Sequence, residues 1–126
     1  MNVVDSSGWL EYFTGGVNAH FFITPIQRVA DLLVPTICIY EVFRRLLVAA
    51  GEESALQAVG VMALGREVEL NRAIAMEAAQ ISLALKLAMA DSIILATART
   101  HDAVLWTQDE HFSAVDGVNY IVKKPA

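Results

Sequence analysis

Four short apolar runs, NVV at 2–4, LLVP at 32–35, AVLW at 103–106 and NYIV at 119–122, are separated by stretches with helical periodicity. That order predicts an α/β fold of three layers, α/β/α, around a short parallel sheet. REVEL at 66–70 alternates like a fifth, short strand. SSGWLEYF follows the first strand as an amphipathic helix ended by Gly15 and Gly16. Thr24, Pro25 and Gln27 supply an N-cap, a first-turn proline and a capping-box Gln, predicting a short helix to about Ala30. Pro35 keeps Val34 extended at the end of the second strand. Thr36 then caps a helix whose stripe is Ile39, Val42, Phe43, Leu46, Leu47 and Ala50, stopped by Gly51. A helix from Glu52 turns Leu56, Val59 and Ala63 inward and ends near Gly65. Asn71 opens a helix burying Ile74, Ala78, Ile81 and Leu85, and another spans 88–101.

At 126 residues, 56% hydrophobic and 18% charged, the chain suits one domain, residues 1–126, with a core that needs neither disulfide nor structural metal. The lone Cys38 fits a reducing compartment and core packing. The longest uncharged run, 12–27, contains Gly15, Gly16, Asn18, His20 and Pro25. It falls short of the ~18–20 apolar residues of a membrane span. The first thirteen residues contain Asp5 and Glu11 but no Lys or Arg, unlike a secretory signal, so the expected location is cytoplasmic. With 9 basic and 14 acidic residues, nucleic acid is not held by a basic surface alone. Contact with phosphates through metal ions is compatible with that balance.

The placement of the acids therefore matters more than their number. Asp5 follows the first strand, and Asp109 follows AVLW after Thr107 and Gln108. In a parallel sheet both face one edge, where sites of such folds form. Glu41 lies about one and a half turns into the helix leaving LLVP, and Asp91 shares a helix face with Ile94 and Leu95. Each also has a local explanation. Asp5 can cap the next helix, and Glu41 can pair with Arg44 and Arg45. Asp91 can be an N-cap, and Asp109 a turn residue. Together they are harder to explain locally, because two carboxylates ~5 Å apart repel by roughly 3 kcal/mol at an effective dielectric of ~20. A cation relieves that repulsion, and oxygen donors suit Mg²⁺ or Mn²⁺.

VVDSSGWL at 3–10, PTICIYEVFRRL at 35–46 and LKLAMADSIILATARTHDAVLWTQDEHF at 85–112, with the spacing between them, resemble the PIN-domain nucleases. The resemblance covers essentially the whole chain and is strongest to the VapC-type ribonuclease toxins of toxin–antitoxin pairs. It implies a PIN-like fold with Asp5, Glu41, Asp91 and Asp109 as the acidic quartet, both catalytic and metal-binding. It further implies that Thr107 orients Asp109 and that Ser6 supports the site. The implied activity is Mg²⁺- or Mn²⁺-dependent cleavage of RNA, leaving a 5′ phosphate and a 3′ hydroxyl, with Glu41 or Asp91 helping to deprotonate water. The implied partner is a small antitoxin whose C-terminal segment blocks the acidic site. Arg44, Arg45, Lys86 and Arg99 are the candidate RNA contacts, with the tail pair Lys123 and Lys124 in reserve.

His20, His101 and His111 lack a metal-ligand spacing and read as surface or satisfied histidines. Met62, Met76 and Met89 read as gap fillers. Ser7 stands where a haloacid-dehalogenase phosphatase needs its second Asp, the marks of a phosphoreceiver are missing, and no phosphate loop occurs. Two rivals remain: a PIN-like module that binds RNA or protein without cutting, and a metal-dependent phosphatase of small molecules. WLEYF at 9–13 and FFITPI at 21–26 are expected to leave apolar surface and to support a homodimer.

Overall fold

In the computed structural model, which describes residues 1–125, five parallel strands form one sheet in the order β3-β2-β1-β4-β5. They are β1 (Asn2–Val4), β2 (Leu32–Pro35), β3 (Arg66–Val68), β4 (Val104–Thr107) and β5 (Val118–Tyr120). The helices are α1 (Ser6–Thr14), α2 (Ala19–Gln27), α3 (Thr36–Ala50), α4 (Glu52–Met62), α5 (Arg72–Leu85) and α6 (Met89–Thr100). The expected three-layer α/β/α architecture is therefore present.

β1 and β2 read as unbroken apolar runs because both their faces are covered. Val3, Val4, Leu33 and Val34 have no exposed surface. β3 and β5 lie at the edges, and β3 exposes Arg66 and Glu67 there, charges that discourage pairing with another strand. Val3 pairs with Leu33 on one side and Leu105 on the other, which aligns the carboxyl ends of β1, β2 and β4. Among the described residues no single helix is long and apolar enough to cross a membrane.

Several expectations need correction. The capping signature at Thr24 does not start a helix: α2 begins at Ala19, Pro25 lies near its end, and a 3-10 turn, Val29–Asp31, follows. The start is set by tertiary ties of Asn18, whose backbone N–H donates to Glu11 Oε2 (2.8 Å). Its side-chain amide donates to Gln108 Oε1 and the Val122 carbonyl, both at 3.0 Å. The buried face of α4 is Ala55, Ala58 and Met62, while Leu56 and Ala63 are exposed and Val59 is half-buried. Close packing of α4 on α3 selects small side chains there. Leu47, Ala50 and Leu85 likewise face outward, and REVEL pairs only over Arg66–Val68.

A last correction concerns the apolar stretches. Trp9, Phe22 and Ile26 are core residues, and Leu10, Tyr12, Phe13 and Phe21 pack half-buried against them, so most of WLEYF and FFITPI turns inward while Ile23 stays exposed. Gly8 makes this possible where α1 passes α2. A Cβ there would lie 2.5 Å from Phe22 Cε1 and 2.7 Å from Val4 Cγ1. Gly8→Ala is expected to destabilise the fold by ~1–3 kcal/mol through overpacking, read as a lower urea midpoint.

Candidate active site

Asp5 sits one residue beyond β1, buried at 2% exposure. It caps α1, accepting the Gly8 N–H on Oδ1 (3.0 Å), so the local reading of this acid holds alongside any other role. Ser7 donates to both its carboxylate oxygens, at 2.8 and 3.0 Å, and Thr107 donates to Oδ2 at 2.7 Å. Burial pushes the Asp5 carboxyl up to about 7, against the lowering effect of those hydrogen bonds.

Thr107, fully buried at the end of β4, joins two acids. Its hydroxyl oxygen accepts the Asp109 backbone N–H (2.9 Å) while its proton goes to Asp5. It therefore fixes the Asp109 backbone and the Asp5 side chain, a wider role than orienting Asp109. Asp109 also caps the 3-10 turn Glu110–Phe112, accepting the His111 N–H at 3.0 Å. Glu41 is not held by arginine: Ser6 donates to its Oε1 at 2.6 Å, across 35 residues of sequence. Asp91 lies in the first turn of α6, where the helix dipole favours a negative charge, and is not its N-cap, which is Ala88. Desolvation and the charge of Asp109 raise its carboxyl above the usual range, against the lowering effect of His111.

These four acids, which come from the residue after β1, from α3, from α6 and from the turn after β4, line one cavity of about 480 Å³, together with Arg44 and Arg45. A second cavity of about 570 Å³ shares Ser7 and Asp109 with it and is lined by Tyr120, Lys123 and Lys124. Lys86 and Arg99 line neither; Lys86 ends α5 in the left-handed conformation (φ 56°). Cys38 is buried beneath the site against the Val4 carbonyl, and burial pushes its thiol well up, which keeps it inert.

Residues 3–118 match the family described as PIN domain. The chain belongs to the PIN-domain family. No curated protein matches this PIN domain in sequence at a significant level. Among solved structures it is similar to a toxin–antitoxin complex from Klebsiella pneumoniae, with 21% identity, 94% of this chain and 95% of that one covered, and a TM-score of 0.80. It is also similar to VapC20 of Mycobacterium tuberculosis, a Sarcin-Ricin loop cleaving toxin, at 15% identity, coverage of 94% and 98%, and a TM-score of 0.79. DNA-bound VapBC from Salmonella typhimurium follows at 14% identity, coverage of 96% of both chains, and a TM-score of 0.76.

The donor set of this PIN domain fits a hard divalent cation. It offers carboxylate oxygens and no thiolate, and among the described residues the donor atoms close enough to share one ion, within 4.8 Å of one another, are those of Asp91, Asp109 and His111. Among the described residues no lysine or arginine pairs with any of the four acids. Only His111 does, its Nδ1 lying 3.1 Å from Asp109 Oδ1 and 3.6 Å from Asp91 Oδ2. Sequence reading set His111 aside with the other histidines and missed this contact. The available signal was its position two residues after Asp109, the spacing at which a capping acid meets the turn it caps.

Proposed function

We propose that the chain is a divalent-metal-dependent endoribonuclease and acts in the cytoplasm as the toxin of a toxin–antitoxin pair. Asp5, Glu41, Asp91 and Asp109 would hold Mg²⁺ or Mn²⁺. The observation that carries the reading is the gathering of four carboxylates from four separate elements in one open cleft, with arginines at its rim and, among the described residues, no Lys or Arg side chain paired with them. The ion, when bound, lowers the pKa of water and offsets the charge that develops on a phosphate.

The chain's own residues supply position. Thr107 and Ser7 hold the Asp5 carboxylate, Ser6 holds Glu41, and the turn after β4 holds Asp109. Arg44 and Arg45 on one side, and Lys123 and Lys124 in the adjoining cavity, would take the phosphates flanking the scissile bond. The two cavities meet at Asp109, so one RNA strand crossing both would bring a phosphate to the acids.

The partner is a small antitoxin whose C-terminal segment covers the cleft; the similarity to toxin–antitoxin complexes supports this part of the reading. Apolar surface for self-association is offered by α5 and α6, where Met76, Leu83 and Met89 are exposed, and by α3 and α4, where Tyr40, Val48 and Leu56 are, more than by WLEYF or FFITPI, of which Ile23 is exposed. Light scattering at tens of micromolar is expected to give a dimer, and a monomer would remove that claim.

Cleavage is tested with end-labelled single-stranded RNA and the purified chain in Mg²⁺, in Mn²⁺ and in EDTA. Metal-dependent products bearing a 5′ phosphate are expected. RNA that is bound but uncut in both metals would make the chain a binding module and overturn the proposal.

A further inference from the structure

The three histidines of the chain use Nδ1 differently. In His20 and His101 it faces backbone carbonyls one turn back, Val17 O at 3.2 Å and Thr97 O at 3.0 Å. In His111 it faces only carboxylates among the described residues, 3.1 Å from Asp109 and 3.6 Å from Asp91. One donor atom from each of Asp91, Asp109 and His111 lies within 4.8 Å of the other two. Adjacent ligands of a six-coordinate ion, each about 2.1 Å from it, stand roughly 3.0 Å apart. The spacing of His111 and Asp109 matches that of two such neighbours, and that of His111 and Asp91 is slightly wider.

The placement is built into the chain. His111 is the middle residue of the 3-10 turn Glu110–Phe112, whose last residue is fully buried in the core. Its backbone N–H is fixed by the Asp109 carboxylate, and the Phe112 N–H donates to the Asp109 carbonyl at 3.0 Å. The imidazole itself is 66% exposed, so it is positioned by its backbone and not by core packing.

We propose that His111 is a ligand of the ion held by the acidic cleft, giving the site a mixed oxygen and nitrogen donor set that selects Mn²⁺ over Mg²⁺. The proposal rests on the metal-binding reading of the quartet and deepens it. Mg²⁺ prefers oxygen ligands and gives up its water reluctantly, whereas first-row transition ions, Mn²⁺ included, accept an imidazole nitrogen more readily. A site of carboxylates alone has a smaller bias, set by ion size and dehydration, so His111 would be the residue that widens the preference when both ions are present.

Pulsed EPR of Mn²⁺ bound to the full chain reads the nitrogen directly, and calorimetric titrations with Mn²⁺ and Mg²⁺ read the preference. The parent is expected to show ¹⁴N coupling to Mn²⁺ that disappears in His111→Ala. In that variant Mn²⁺ affinity should fall by about tenfold or more while Mg²⁺ affinity changes far less. The exposed ring can be removed without touching the core, and a metal-free melt equal to the parent's checks this. Mn²⁺ bound without ¹⁴N coupling, or with equal affinity in parent and variant, would overturn the histidine ligand and leave the acidic site standing. No Mn²⁺ binding by the parent would overturn both.

Discussion

Glu41→Gln is expected to lower metal-dependent RNA cleavage by on the order of a hundredfold or more, with the metal-free melting temperature close to the parent's. Gln keeps the shape of the side chain and an oxygen that can accept the Ser6 hydroxyl, now 2.6 Å from Glu41 Oε1, but it removes the charge a cation needs. Were Glu41 only a surface acid on α3, the change would alter stability by ~0.3–0.5 kcal/mol and activity not at all. Asp91→Asn is expected to behave likewise, because Asp91 caps nothing and is half-buried facing Asp109. Single-turnover cleavage of a labelled RNA in Mn²⁺ separates these outcomes, and a parent-like rate in either variant would contradict the assignment.

A second large effect is expected in the stability of the metal-free protein as pH rises. Burial lifts the Asp5 carboxyl to about 7, whereas in the unfolded chain it titrates near 3.9. Between those values the folded state binds the proton and the unfolded state does not, so stability falls with rising pH. The contribution is complete below about pH 4 and is lost as pH passes through 7, on the order of 4 kcal/mol in all. Asp91 is shifted the same way and adds to the trend. Asp5→Asn is expected to flatten the dependence, since the amide stays neutral and its oxygen can still accept the Gly8 N–H. Mn²⁺ at ~100 times its dissociation constant should restore about 2.7 kcal/mol at high pH. Urea titrations at pH 5.5 and 8 in EDTA check the sign, and a parent that is equally stable at both would contradict the buried, cation-seeking acid.

The elements most legible in sequence were those whose signal is local or covered on both faces. LLVP and NVV are strands over the residues expected, because a central strand needs apolar side chains in both directions. The meeting of the acids followed from topology: parallel strands send Asp5 and Asp109 to one edge whatever the details of packing. What could not be read depends on distant partners. Asn18 starts α2 through Gln108 and Val122, roughly a hundred residues away, so the stronger local signature at Thr24 misled. The α4 face was displaced because the periodicity of large residues favours Leu56, while the close approach to α3 buries Ala55 and Ala58. At the site, Thr107 was found for one of its two roles, whereas the Ser6 bond to Glu41 and the reach of His111 between two acids exist only once the elements have packed.

The most direct test is the location of the ion itself. Anomalous diffraction from crystals grown or soaked with Mn²⁺ is expected to show a peak among Asp5, Glu41, Asp91 and Asp109, with carboxylate oxygens about 2 Å from it. Well-ordered carboxylates at saturating Mn²⁺ with no peak between them, or a peak only at acids outside the cleft, would contradict the metal site and the nuclease built on it.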